Sequence, residues 1–237
     1  MSEKFLRFEM LVGNDAVQRL SCKKVIVFGV GGVGGYVCEA LARSGVGRID
    51  LVDNDKVSIS NRNRQIIALE DTVGQYKTEV MRQRLKQINP CIECTTFNMF
   101  YLPENAGKID LSQYDFVIDA VDTVSAKIDI VKRCCRLDIP VISSMGTGNK
   151  LDPTKIVVTD IYKTKTCPLA RVMRGLCKKN GIKKLTVVYS EEEPKSPLFQ
   201  PDDEGEATRS TPASSAFVPP AAGLAIAYKA VSIMLEK

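Results

Sequence analysis

The chain has 237 residues, 44% of them hydrophobic and 26% charged, which suits one globular unit with a sizeable core rather than a disordered or fibrous chain. Its 33 basic and 28 acidic residues leave a net charge of +5, too small a total to assign a partner by itself. There is no histidine, so Ser-His-Asp and Cys-His nucleophilic mechanisms are excluded, and proton transfer falls to carboxylates, lysine, tyrosine, cysteine or water.

The first eleven residues, MSEKFLRFEML, lack the long apolar core and small-residue cleavage site of a secretory signal. Eight scattered cysteines in a chain without such a signal are expected to stay reduced, which points to the cytoplasm. Residues 25–29 (VIVFG) form a β-branched run that leads into glycines and is predicted as a buried parallel strand. A helix over 36–43 and a strand over 49–53 (IDLVD) follow. Helical spacing then holds over 73–88 and stops at Asn89-Pro90. Strands over 92–98, 116–120 and 141–144, with a helix over 124–137, complete an alternating pattern. Strands alternating with helices imply an α/β fold, a doubly wound, Rossmann-like and mostly parallel sheet.

After Ser144 the pattern changes to an α+β extension, with strands over 155–160 and 184–189 on either side of a helix over 169–179. Residues 191–214 are rich in Pro, Glu, Asp and Ser and are predicted as a mobile surface loop. A closing helix is expected from 221 to 237. The apolar stretch 217–235 contains Lys229, two prolines and a serine, so it is read as a buried helix, with no stable membrane insertion. The organisation is therefore an alternating α/β core over 1–146, later read as the ATP-binding part, followed by the extension over 147–237.

Gly29, Gly31, Gly32 and Gly34 stand between a predicted strand and a predicted helix. In that context glycines allow a tight turn and let backbone N–H groups approach phosphates at the positive end of the helix. Asp53 follows Gly34 by 19 residues, at the end of the second strand, where a carboxylate accepts bonds from ribose hydroxyls. The run that follows, with Asp55, Ser60, Asn61, Arg64 and Gln65, and then Lys77, carries more cationic and polar groups than a dinucleotide dehydrogenase requires. A triphosphate attacked at its α-phosphorus does require them, because its charge must be neutralised. Asp119 and Asp122 end the fourth strand at the carboxyl edge of the sheet, and either is a candidate to hold Mg²⁺ with phosphate oxygens.

Taken in order, GxGGxG, the DxD after the second strand, SNxxRQ, GxxK and DxxD resemble the ubiquitin-activating-enzyme-like adenylyltransferase superfamily over residues 4–146. That resemblance implies adenylation of a carboxylate by ATP, a homodimer or pseudodimer, and ATP-binding roles for Gly32, Asp53, Ser60, Asn61, Arg64, Lys77 and Asp122. Gln65 belongs to the same motif. Residues 4–7 (KFLR) look like the family's RxxR segment, with Lys4 in place of the first arginine. By that likeness Arg7 would reach the γ-phosphate of the neighbouring subunit's ATP.

Members that activate ubiquitin-like sulfur-carrier proteins carry two CxxC pairs for structural zinc, whereas this chain has the single pair Cys91 and Cys94, on the predicted third strand. Activation of such a carrier's C-terminal glycine, with sulfur-transfer proteins as partners, is the alternative reading. Residues 151–153 (LDP), 159–164 (TDIYKT), 167–171 (CPLAR) and 187–191 (VVYSE) resemble instead the bacterial tRNA threonylcarbamoyladenosine dehydratases, which activate the threonyl carboxylate of the modified adenosine at tRNA position 37 and cyclise it. Composition offers independent support. Between Asp160 and Glu191 there is no acidic residue, but there are eight basic ones: Lys163, Lys165, Arg171, Arg174, Lys178, Lys179, Lys183 and Lys184. A one-sign block of this kind suits a phosphate backbone.

Overall fold

The computed structural model describes residues 3–199 and 212–236. The part of the expected mobile loop from 200 to 211 lies outside the described residues. The β-branched runs become β1 (Lys24–Phe28), β2 (Arg48–Val52), β4 (Phe116–Asp119), β5 (Val141–Ser144), β6 (Ile156–Asp160) and β7 (Thr186–Ser190). Together with a short β3 (Thr96–Phe97) they form one seven-stranded sheet in the order β3-β2-β1-β4-β5-β7-β6. Every neighbouring pair is parallel except β6 with β7.

Alternation along β1 separates the two faces. Val25 and Val27 join the core beneath α3 (Gly34–Arg43), α4 (Lys77–Ile88) and α7 (Val218–Glu236). Ile26 and Phe28 join the core beneath α5 (Val124–Leu137). A third cluster packs α6 (Pro168–Lys179) against α5 and β7 through Ala170, Met173 and Cys177, spaced as one helical stripe. Strand order reverses between β1 and β4, and such a reversal opens a crevice at the carboxyl ends of the strands.

Several boundaries differ from the sequence reading. The third strand, expected over 92–98, shrinks to two residues at the sheet edge plus an isolated bridge from Glu93 to Arg48. α4 starts at Lys77 rather than Val73 because Gly74 adopts φ +85° and its N–H donates to Val57 O at 2.8 Å, tying 73–76 to the segment after β2. α7 starts at Val218, since Pro219 and Pro220 fall in its first turn, where a missing N–H costs nothing. Two N-terminal helices, α1 (Leu6–Val12) and α2 (Asn14–Ser21), are additional to the reading.

The extension shares the sheet with the core. β7 pairs with β5, and α7 returns to pack on α3, where a Cβ on Gly223 would collide with Tyr36 Cβ and Val33 O. α7 is long and apolar enough to cross a membrane, but ten of its nineteen residues are buried against this fold.

Candidate functional site

β1 must turn sharply at its end for α3 to begin over the crevice. Gly29 does this at φ +87°, where a Cβ would also sit 2.6 Å from Ala120 O. Gly34 lets α3 lie against that turn, since its Cβ would meet Gly29 O. Gly34 is thus placed by packing and is outside the cavity lining. Gly31 is nearly open, since the volume that its Cβ would take has no neighbour closer than Gln65 Nε2 at 3.9 Å. A Cβ on Gly32, in contrast, would press on Pro219 Cβ at 3.2 Å and on the Arg64 side chain at 3.4 Å, so both positions favour glycine beside the cavity. Backbone amides exposed in this way can cradle an anion.

The crevice is a cavity of about 670 Å³. It brings together Gly29, Gly31, Gly32, Asp53, Asp55, Asn61, Arg64, Gln65, Lys77 and Asp122 of the expected residues. Ser60 and Arg7 do not line it. Ser60 acts through its carbonyl, which accepts from Arg64 Nη1 at 2.9 Å, and Asn63 Oδ1 accepts from the same nitrogen at 2.9 Å. Arg7 is exposed on α1.

Asp53 braces the glycine turn. Its carboxylate accepts from Val30 N at 2.7 Å and from Asp55 N at 2.8 Å. Burial pushes the Asp53 carboxyl above the usual range, against the pull of those two amides. Asn61, also buried, accepts from Ser58 N at 3.2 Å and closes a single turn of 3₁₀ helix.

Two cations stand ready for an anion. Arg64 has no carboxylate partner among the described residues, and burial pushes its guanidinium below its ordinary value. Lys77, the first residue of α4, is buried and pairs with the exposed Asp55 at 2.6 Å, a partner that can turn to solvent when a phosphate arrives. Gln65 Oε1 is buried without a hydrogen-bond partner among the described residues, so a donor from a ligand would satisfy it. Val52, Met99, Val121 and Ala126 add an apolar wall suited to a base. These features fit a nucleoside triphosphate.

The two carboxylates after β4 separate cleanly. Asp119 is fully buried, with both oxygens 3.0 Å from Lys127 Nζ and a further bond from Ser143 Oγ. Lys127 also donates to Val121 O at 2.8 Å, so this pair holds the crevice wall and is not free to take a metal. Asp122 is exposed to the cavity and uncommitted to any cation among the described residues. One carboxylate with phosphate oxygens is a sufficient protein contribution for Mg²⁺.

The rest of the lining comes from later in the chain: 144–150, 167–169, Pro194 and 212–214. It meets the first part beside Arg64, where Asn63 Nδ2 donates to Ser214 O at 3.0 Å. Asn149, at φ +62°, is clamped by Ala213 through its backbone N–H at 2.7 Å and its Oδ1 at 2.7 Å. Cys167, the residue before α6, is buried, and its Sγ accepts from Gly146 N at 3.3 Å. Topology brings these segments to the crevice, and of them only 167–169 belongs to a run that the sequence singles out.

Residues 5–237 match the sequence model of the family described as ThiF family. The tRNA threonylcarbamoyladenosine dehydratase of Bacillus subtilis (strain 168) is 43% identical over 244 aligned positions, covering 100% of this chain and 96% of that protein. The E. coli tRNA N6-threonylcarbamoyladenosine dehydratase TcdA, solved in complex with ATP, superposes with a TM-score of 0.89 at 35% identity, covering 99% of this chain and 94% of that one. The AMP complex of the same protein gives the same agreement.

Proposed function

The chain belongs to the ThiF family, and on that premise we propose that it is an ATP-dependent tRNA threonylcarbamoyladenosine dehydratase. The observation that carries this is one cavity lined both by Arg64 and Lys77 and by segments of the C-terminal half, in a chain alike from end to end to relatives of that name. A carboxylate oxygen of the substrate attacks the α-phosphorus of ATP, the bond to the β-phosphate oxygen breaks, and pyrophosphate leaves. A nitrogen of the same substrate then attacks the acyl carbon, AMP leaves with the former carboxylate oxygen, and the nitrogen loses its proton. The substrate has lost one water, and the nucleophile is intramolecular, which raises its effective concentration greatly.

In this reading Gly31 and Gly32 amides and the positive start of α3 hold phosphates, Asp53 accepts from the ribose, and Arg64 and Lys77 neutralise the charge that develops during attack. Asp122 would hold Mg²⁺, which when bound screens the triphosphate. The enzyme acts in the cytoplasm as a homodimer, and Arg7 of a second copy completes each site. Three facts support the dimer: Arg7 does not line its own cavity, α1 buries none of its residues, and α1 presents Leu6, Met10 and Leu11 to solvent. The RNA docks along the basic segment, whose cations are exposed with the exception of Arg174, which donates to Thr164 O and Oγ1 at 2.7 Å each.

Mass spectrometry of nucleosides from tRNA carrying threonylcarbamoyladenosine, after incubation with the protein and ATP, tests the proposal. A product lighter by one water and dependent on ATP is expected. An unchanged nucleoside together with ATP–pyrophosphate exchange driven by a small carrier protein would overturn it.

A further inference from the structure

Among the described residues three lysines are buried: Lys77, Lys127 and Lys150, which are 5%, 0% and 3% exposed. The first two face carboxylates, Asp55 and Asp119. Lys150 does not. Among the described residues its ammonium has no acidic partner within salt-bridge distance, and its one acceptor is the Ser190 carbonyl at 2.8 Å. An ammonium carries three donors, so two remain for a ligand. A buried charge with only a neutral partner is costly, and such groups persist where an anion arrives to meet them.

The backbone at this position is held rigidly. Lys150 O accepts from Ser215 Oγ at 3.1 Å. The Glu192 carboxylate takes Leu151 N at 2.9 Å and Asp152 N at 2.8 Å, so that acid is already engaged by the chain. Burial pushes the Lys150 ammonium down, opposed by Cys167, Glu192 and Glu193. Lys150 lines the same cavity as Arg64 and Lys77, but on the wall built from the C-terminal half.

Resting on the adenylation reading, we infer that Lys150 is the residue that recognises the carboxylate to be activated. Two anions must meet in this cavity. The triphosphate takes Arg64 and Lys77, from the N-terminal half, and the incoming carboxylate needs a cation of its own. Lys150 binds the carboxylate oxygen that does not attack, which leaves its partner oxygen directed at phosphorus. Once the acyl-adenylate forms, the substrate's negative charge is gone and this contact weakens. Lys150 therefore acts on substrate capture more than on the later ring closure.

The test compares the full-length wild type with Lys150→Met and Lys150→Gln, using two tRNAs, one bearing threonylcarbamoyladenosine and one with unmodified adenosine at the same position. Wild type is expected to bind the modified tRNA more tightly, and both variants to lose most of that preference. Their KM for modified tRNA should rise about tenfold to a hundredfold, the scale of one hydrogen bond to a charged group, with a smaller change in kcat. Affinity for ATP and for unmodified tRNA should hold. Because Lys150→Met removes a buried charge with no acidic partner, its melting temperature should equal or exceed that of wild type. Variants that keep the wild-type preference for modified tRNA would overturn the assignment. So would a Lys150→Met protein that melts well below wild type and loses ATP affinity, because that would mark Lys150 as a structural tie to Ser190. A wild type inert on modified tRNA would defeat the adenylation reading itself, and this assignment with it.

Discussion

At the scale of single residues, the crevice separates cations kept for ligands from cations used up by the fold. Lys127 is fully enclosed and divided between Asp119 and Val121 O, whereas Lys77 is held only by an exposed aspartate and Arg64 by no acid among the described residues. Their substitutions should therefore fail in opposite ways. Arg64→Ala or Lys77→Ala should lower ATP-dependent turnover about a hundredfold or more, the scale for one transition-state charge contact, with little change in unfolding. Lys127→Met should instead destabilise the protein by about 3–5 kcal/mol, since it strands the buried Asp119 charge. Urea unfolding beside ATP–pyrophosphate exchange separates the two classes. A Lys127→Met protein as stable as wild type, or wild-type exchange in either of the other variants, would contradict this division.

At the scale of elements, α3 and α4 are joined by one carboxylate. Glu39 accepts from Arg43 Nε at 2.8 Å on its own helix and from Arg84 of α4 at 2.6 and 3.0 Å. Burial raises the Glu39 carboxyl, but the Arg84 and Arg43 bonds outweigh it and hold the group below its usual range. A depressed folded-state value means the stabilisation is present above the unfolded value, about 4.3, and is lost as pH falls through the folded one. Glu39→Gln should cost about 1–2 kcal/mol at neutral pH, discounted for the half-exposed arginines, and the difference from wild type should shrink in acid. A denaturant series from pH 7 down to pH 3 measures it. How far the elements were legible follows the same logic of burial. β1, β2, β4, β5 and β7 could be read because their β-branched runs fill the core on both faces. α1 could not be anticipated, because its apolar Leu6, Met10 and Leu11 point away from this chain's own core and leave no stripe to recognise. Of the site, the N-terminal wall was legible as contiguous motifs following β1 and β2. The part that holds Lys150 was legible only at 167–169, because 144–150 and 212–214 come together through the β5–β7 pairing, the Gly146–Cys167 contact and the clamp of Asn149 on Ala213.

At the scale of the whole molecule, both proposed partners leave consequences that a single site cannot mimic. If Arg7 serves the neighbouring copy, Arg7→Ala and Lys77→Ala are each deficient, yet a verified heterodimer of the two recovers one competent site. No recovered turnover in that heterodimer would argue against the shared site. The RNA face is tested by salt. On α6, Ala170, Met173 and Cys177 are buried, while Arg171, Lys178 and Lys179 are exposed, and none of these three is paired with an acid among the described residues. Arg174 must be left alone, because it holds Thr164 and its loss would disturb the loop before α6. Each phosphate neutralised releases counterions, so the logarithm of tRNA affinity should fall with the logarithm of salt by about 0.7–0.9 per contact. Reversing Arg171, Lys178 and Lys179 to Glu should flatten that slope and raise the KM for tRNA, with ATP affinity unchanged, because none of the three lines the cavity that holds Arg64 and Lys77. A solvated helix face would tolerate the reversal. If the triple variant binds tRNA with the wild-type slope, the RNA lies elsewhere on the molecule, and the one-sign run from 161 to 190 is surface charge alone.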